Sequence, residues 1–317
     1  MEKTGLRSRL EFAVFLGLKC LFFLFPRRLC LLLGGALGRL AYVLDKKHRQ
    51  IALSNLGTAF PNQLSESQKK AIARNSFKNF GAVIADILKL PLLSENKIGS
   101  FLTSEGLENL EGALNEGKGA LLFTAHYGNW EVGSRLMSRK SKFNVIARPL
   151  DNPLLERELA RLRKHLGARV IYKKQAAKEI LQALRRNEVV AILIDQNVLR
   201  SEAVFVDFFG KAAATTPGLA AFSLRTGSPL LPVFCLPRAS RSYHIKIFKP
   251  LETHPTGDLS QDVLKITQIC TKIIENQIRE APDFWFWFHK RWNTRPPDEI
   301  QEKNLGPDER QRGPDEI

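Results

Sequence analysis

A mixed α/β fold is the class this sequence predicts: a mainly parallel central sheet flanked by helices, preceded by an N-terminal membrane-associated helical segment. Three observations carry that expectation. From about Gly106, short apolar runs alternate with amphipathic stretches, as strands alternate with helices. Before that point the pattern is helical, and it begins with two apolar runs bracketed by basic residues. The 317 residues are 44% apolar and 25% charged, which suits a chain with a sizeable core and excludes both a disordered protein and a polytopic membrane protein.

The first elements are Leu10–Phe25 and Leu29–Leu44, apolar runs split by Pro26-Arg27-Arg28. Each makes a helix of about 24 Å against a hydrocarbon core of about 30 Å. Glu11 and Lys19 interrupt the first run and Arg39 the second. Three readings fit: one tilted span with a snorkelling Lys19, a monotopic element lying in the interface, or buried core helices. Arg7, Arg9, Arg27, Arg28, Lys46, Lys47 and Arg49 flank the runs, as contact with an anionic membrane surface requires. The basic cluster over 46–49 favours a cytoplasmic location for the remainder of the chain. Residues 1–45 are therefore read as a membrane anchor or interfacial helices.

Residues 46–105 read as a helical region. Ser65 is placed to cap a helix whose apolar face carries Ile72, Phe77, Phe80, Val83, Ile84 and Leu88, and Pro91 stops it. Over 106–297 the expected strands are Ala120–Ala125, Phe143–Ala147, Arg169–Tyr172, Val189–Ile194, Leu230–Leu236 and His244–Phe248. Helical patterns lie between them near Glu131–Ser138, Pro153–Leu166, Gln175–Arg186, Pro217–Thr226 and Leu259–Arg279. The last segment, 298–317, repeats Pro-Asp-Glu three times and holds nothing that builds a core, so it reads as a disordered tail.

Charge narrows the partners. Lys+Arg 48 against Asp+Glu 32 gives +16, and the acidic tail makes the body more basic still, so an acidic partner is expected. Nucleic acid is disfavoured: no recognition motif is present, and aromatics are not interleaved with the basic stretch Arg157–Arg186. The four cysteines, Cys20, Cys30, Cys235 and Cys270, form no C-x-x-C pair, which argues against a zinc ribbon or a disulfide scaffold.

The chemistry concentrates in Gly119–Gly133, GALLFTAHYGNWEVG. An apolar strand runs into His126, a turn follows, and Glu131 stands near the start of the next helix, at the strand end where α/β sheets bind ligands. On one continuous helix the H-x-x-x-x-E spacing would leave the two side chains about 140° apart, so a shared zinc face is excluded. Across a strand–turn–helix corner they can meet, and a carboxylate on one imidazole nitrogen leaves the other as a base. A strand-end histidine that merely bonds the backbone is the competing reading.

HYGNWE resembles the H-x4-D/E block of the glycerolipid acyltransferase superfamily, and within it the bacterial lipid A late acyltransferases of the lauroyl/myristoyl type. Further stretches resemble that family in the same order: Ala52–Pro61 (ALSNLGTAFP), Ala147–Pro153 (ARPLDNP), Ile194–Asn197 (IDQN), Val206–Pro217 (VDFFGKAAATTP) and Trp287–Pro296 (WFHKRWNTRP). Asp86 departs from the family pattern, where a Glu is expected.

The resemblance implies transfer of a fatty acyl chain from acyl carrier protein to a hydroxyl of a phosphorylated glycolipid, a lipid A precursor, on the cytoplasmic face of the cell inner membrane. No cofactor and no metal are implied. A hydroxyl needs a positioned base, and His126 oriented by Glu131 supplies one; a thioester needs no enzyme nucleophile, and no G-x-S-x-G elbow is present. Backbone N–H groups near Tyr127–Asn129, or Arg148, are expected to hold the oxyanion. Asn129, Arg148, Asp195 and Gln196 are the substrate-binding candidates. Phe208–Gly210 and Trp285–Phe288 fit either an acyl groove or ordinary core, and the Arg157–Arg186 stretch fits either a solvated face or a dock for the acidic carrier. An acyltransferase acting on another glycolipid or a lysophospholipid, and an inactive binding protein of the same fold, remain alternatives.

Overall fold

The structure, a computed structural model, describes residues 5–172, 176–238 and 242–297. The tail read over 298–317 and the start of the helix at Gln175 lie outside the described residues.

Four helices come first: α1 (Leu6–Leu24), α2 (Arg27–Leu44), α3 (Lys46–Ala59) and α4 (Glu66–Lys89). Ser65 caps α4 as expected, in a reciprocal box with Gln68. A short α5 (Glu95–Gly99) leads into β1 (Leu102–Glu105) and α6 (Leu107–Asn115). The alternating region then supplies β2 (Ala120–Thr124), α7 (Trp130–Met137), β3 (Phe143–Ala147), α8 (Pro153–His165), β4 (Ala168–Tyr172), α9 (Ala176–Arg185) and β5 (Val189–Leu193). It closes with a hairpin, β6 (Val204–Phe208) and β7 (Lys211–Thr215), then α10 (Gly218–Thr226), β8 (Leu230–Pro237), β9 (Tyr243–Ile247) and α11 (Leu259–Glu280).

The main sheet has seven strands in the order β1-β9-β8-β2-β5-β3-β4. Five neighbours, β8 through β4, run parallel; β9 opposes β8, and β1 runs with β9. The sheet is mixed and mainly parallel, as the sequence predicts. One face packs Leu121, Phe123, Val190 and Ile192 against α9, α10 and α11. The other packs Leu122, Ala191 and Phe143 against α6, α7 and α8. Alternate residues of β2 thus feed two cores, the burial expected of a central parallel strand.

Helices α2 and α4 cross at backbone contact. A Cβ on Gly38 would lie 2.1 Å from the Phe77 carbonyl oxygen, and one on Gly81 would lie 2.2 Å from that of Gly34. Only glycine permits this approach, and through it α2 is fixed to the body of the fold. Helix α1 is held by polar contacts as well: Lys19 Nζ reaches Glu158 Oε2 at 2.6 Å, and Asn152 Nδ2 donates to Glu11 Oε2 at 2.9 Å. The charges that interrupt the first apolar run therefore face α8. Lys19 is paired with protein, where the sequence suggested snorkelling. Among the described residues no helix is long and apolar enough to cross a membrane.

Candidate active site

His126 lies two residues beyond the end of β2, and Asp195 two residues beyond the end of β5. These strands pair in parallel, with Ala120 opposite Val189 and Thr124 opposite Leu193. The same offset carried two residues further sets His126 beside Asp195. Parallel register alone brings the two together across 69 residues of sequence.

Their contact is a two-point clamp. His126 Nδ1 meets Asp195 Oδ1 at 2.9 Å, and the His126 backbone N–H donates to Oδ2 at 2.9 Å. Trp285 Nε1–H donates to the same Oδ2 at 2.8 Å. Burial alone would raise the carboxyl pKa; the His126 charge and these hydrogen bonds reverse that and hold it at about 2. An ionised Asp195 on Nδ1 puts the imidazole proton there and leaves Nε2 as the basic nitrogen. Gln196 Nε2, at 3.4 Å, is the side chain on that nitrogen.

Glu131 does something else. Its carboxylate is buried and accepts from Arg163, with Nη2 at 2.6 Å and Nε at 3.1–3.2 Å. It is absent from the hydrogen-bond partners of His126; the carboxylate that bonds the imidazole is that of Asp195, not that of Glu131 as expected. The reason is geometric: the tight turn at 127–129 sends α7 away from the strand end, while β5 delivers its acid in register. Glu131 still lines the same groove as His126.

Asn129 is also reassigned. It is fully buried, its Oδ1 accepts from Val132 N–H at the start of α7, and its Nδ2 donates to Tyr243 Oη at 3.0 Å and Asp86 Oδ2 at 3.4 Å. It is not among the residues that line the groove His126 enters. Asp86 in turn takes the Arg27 fork at 2.8 and 2.7 Å and the Tyr243 hydroxyl. This buried network ties the start of α2 and the last turn of α4 to the His126 turn.

Nor do the turn amides form an oxyanion hole. Tyr127 N–H bonds Ala125 O at 2.7 Å, Gly128 N–H bonds Phe284 O at 3.0 Å, and Asn129 N–H bonds Cys235 O at 3.2 Å. Gly128 has φ +62°, and a Cβ there would stand 2.0 Å from Cys235 O, so this position requires glycine. Arg148 is the remaining expected cation. Its side chain is 80% exposed, pairs with Asp151 at 3.2 Å and lines the groove that His126 enters.

That groove, about 790 Å³, runs from His126 and Trp130 over Leu122, Ala191 and Val145 to Met137, Phe143 and Leu162. Its walls are apolar beyond a polar mouth, and its volume lies in the range of about 300–1,000 Å³ usual for ligand sites. Of the aromatics considered for it, Trp285, Trp287, Phe208 and Phe209 are core; Phe286 reaches the groove. The closing motif is a strut. Arg291, fully buried, donates to Ala214 O and Thr215 Oγ1 at 2.6 Å each, and burial lowers its pKa to about 10. His289 Nε2 accepts the Asn197 N–H at 2.7 Å, and burial lowers its pKa to about 4. Asn55 Nδ2 donates to the carbonyls of Trp287 and His289, joining the first family element to the last.

The basic stretch is less free than its composition suggests. Arg163 is committed to Glu131, Arg161 to Glu158, Arg169 to Glu179 and Arg186 to Glu188; Arg157, Lys164 and Lys178 stand exposed. Lys173 and Lys174 lie outside the described residues.

A histidine–aspartate pair thus stands at the carboxyl edge of the parallel strands and opens on a long apolar groove, the arrangement of an enzyme site. The chain belongs to the family described as bacterial lipid A biosynthesis acyltransferase, which it matches over residues 2–294, and it is an acyltransferase. It is 29% identical over 283 residues to the lipid A biosynthesis palmitoleoyltransferase of Escherichia coli (strain K12), covering 89% of this chain and 90% of that one. Identity to the lipid A biosynthesis lauroyltransferase of the same strain is 27% over 267 residues, 83% and 85% of the two chains. A phosphatidylinositol mannoside acyltransferase of Mycobacterium tuberculosis (strain CDC 1551 / Oshkosh) is 28% identical over 224 residues, 68% and 69% of the two chains.

Proposed function

We propose that this protein transfers a fatty acyl chain from acyl carrier protein to a hydroxyl of a lipid A precursor, with His126 as general base and Asp195 as its orienter. The observation that carries the reading is the Nδ1–Asp195 clamp, which leaves Nε2 basic at the mouth of an apolar groove. The acyl chain of the thioester lies in that groove. The acceptor hydroxyl takes the place of the Gln196 amide at Nε2 and gives its proton to that nitrogen as its oxygen bonds the thioester carbon. The tetrahedral oxyanion collapses, the C–S bond breaks, and the departing thiolate takes the proton from His126. Arg148 serves the oxyanion or an acceptor phosphate, and Glu131 keeps Arg163 in the groove wall.

Membrane association belongs to the same reading. Leu10, Val14, Leu21 and Leu24 of α1, and Leu37, Leu40 and Leu44 of α2, are exposed. Such a surface, with Arg7, Arg9 and Lys46–Lys47 at its margins, favours an interfacial dock on the cytoplasmic face of the inner membrane. Arg157, Lys164 and Lys178 offer a steering surface for an acidic carrier. A second reading, transfer to another glycolipid, is supported by the mannoside acyltransferase relative. Lipid profiling of a strain lacking the gene separates them. Loss of one secondary acyl chain from lipid A is expected; an unchanged lipid A with another glycolipid underacylated favours the second reading.

A further inference from the structure

A second apolar groove, about 830 Å³, lies against α2 and α4 on the far side of the catalytic histidine. Phe80, Ile84, Leu88 and Phe286 form a wall common to the two grooves. The Phe286 ring stands 6.1 Å from the His126 ring and 4.9 Å from that of Phe80, so it is the partition between His126 and the second groove. The floor of this groove is the glycine crossing of α2 and α4, with Gly34, Gly38 and Gly81 in its lining. Its rim is different in kind. Lys47 and Lys290 are exposed there and have no ion-pair partner among the described residues; the one carboxylate, Asp45, is engaged by His48 at 2.6 Å.

We propose that this second groove receives a hydrocarbon chain of the phosphate-bearing lipid acceptor, with Lys47 and Lys290 facing its anionic headgroup. The inference rests on the acyl-transfer reading, which requires two lipid chains beside one histidine at the same time. The groove at the end of β2 serves one, and a partition one aromatic ring thick puts the other within reach of Nε2. Charge assigns the occupants. The second groove carries the unpaired cations that a phosphate demands. It also opens between Leu37 and Ile84 beside the exposed apolar stripe of α2, so a lipid enters it from the membrane without crossing water.

The test uses the full chain on vesicles containing a diacylated glucosamine phosphate with a diazirine in one acyl chain. Photolabelling is expected on peptides spanning 37–51 and 286–293, and an uncharged diacylglycerol diazirine should label them several-fold less. Label confined to the wall over 122–162, or spread along Leu10, Val14 and Leu24 with none in the groove, overturns the proposal. Equal labelling by the two probes overturns the role of the lysines. Kinetics of Leu37→Trp, at the open edge, and Ile51→Trp give a second arm. The apparent KM for the lipid acceptor should rise about fivefold or more while that for the acyl donor stays within about twofold. A rise in donor KM alone overturns the assignment. Groove labelling in a wild-type protein that acylates no phosphorylated glycolipid would leave the groove standing and refute the reaction instead.

Discussion

Replacing Asp195 by Asn changes one atom and should switch off the base. Three donors converge on this carboxylate: His126 Nδ1–H on Oδ1, and the His126 backbone N–H with Trp285 Nε1–H on Oδ2. Asparagine has a single acceptor oxygen. Placed at the Oδ2 position it satisfies two fixed donors, and its amide group must then face Nδ1. That nitrogen becomes an acceptor, the imidazole proton moves to Nε2, and the nitrogen facing the groove can no longer take a proton. The lost charge also removes the partner that stabilises the imidazolium formed as Nε2 takes the proton. Tautomer reversal adds to this, and comparable dyads lose up to about 10⁴-fold. Single-turnover acyl transfer by Asp195→Asn, with melting temperature and acceptor affinity measured alongside, reads the effect. A folded variant with more than about a tenth of wild-type turnover would refute the tautomer argument.

Glu131→Gln should act through stability: it strands Arg163 in a buried site, at a cost of about 3–5 kcal/mol, seen as a lower midpoint in urea. Removing both charges, as Glu131→Gln with Arg163→Met, should recover most of that loss; no recovery would show that Glu131 is not structurally tied to Arg163. Acid unfolding should fall in two windows. His289 is folded at about 4 against 6.5 unfolded, so the unfolded chain binds the extra proton and stability drops by about 3 kcal/mol as pH falls from about 6.5 to 4. Asp195 contributes stability that is full above its unfolded value and is lost as pH falls through about 2. Thermal melts of wild type and His289→Gln between pH 7 and 4 check the first window, which the variant should lack. On the membrane, Leu10→Ser, Val14→Ser and Leu24→Ser together should release the protein from anionic vesicles, each lost apolar contact being worth about 1.5–3 kcal/mol; unaltered flotation would assign the dock to another surface.

The strands and helices after Gly106 were legible because their periodicities are strong, and the six apolar runs read as strands are strands. The helix Leu107–Asn115 was not among them, nor were two β elements. Leu102–Glu105 is a short edge strand with three exposed residues and no alternation to betray it. The β6–β7 hairpin turns on Phe209 and Gly210, both at positive φ, in place of the Asn-Gly or Asp-Gly that announces such a turn. At the site, His126 is legible from strand and motif, but the carboxylate that bonds it is not the one the motif suggests. The H-x4-E spacing is local and conspicuous, whereas the contact with Asp195 spans 69 residues and exists only through the β2–β5 register. The signal was present in two five-residue apolar runs each followed, at the same distance, by a titratable residue. Arg27, Asp86, Asn129 and Tyr243 gave no such signal, since their network joins four separate elements.

The most direct measurement is mass spectrometry of the product formed by purified protein from acyl carrier protein thioester and a Kdo-bearing, phosphorylated, acylated glucosamine disaccharide. With wild type, the acceptor should gain the mass of one acyl chain, stoichiometric with free carrier thiol. With folded His126→Ala, carrier and acceptor should remain unchanged over the same interval. Acceptor acylation by His126→Ala at the wild-type rate would contradict the assignment of the base, and a wild-type protein that leaves the acceptor mass unaltered would contradict the assignment of the reaction.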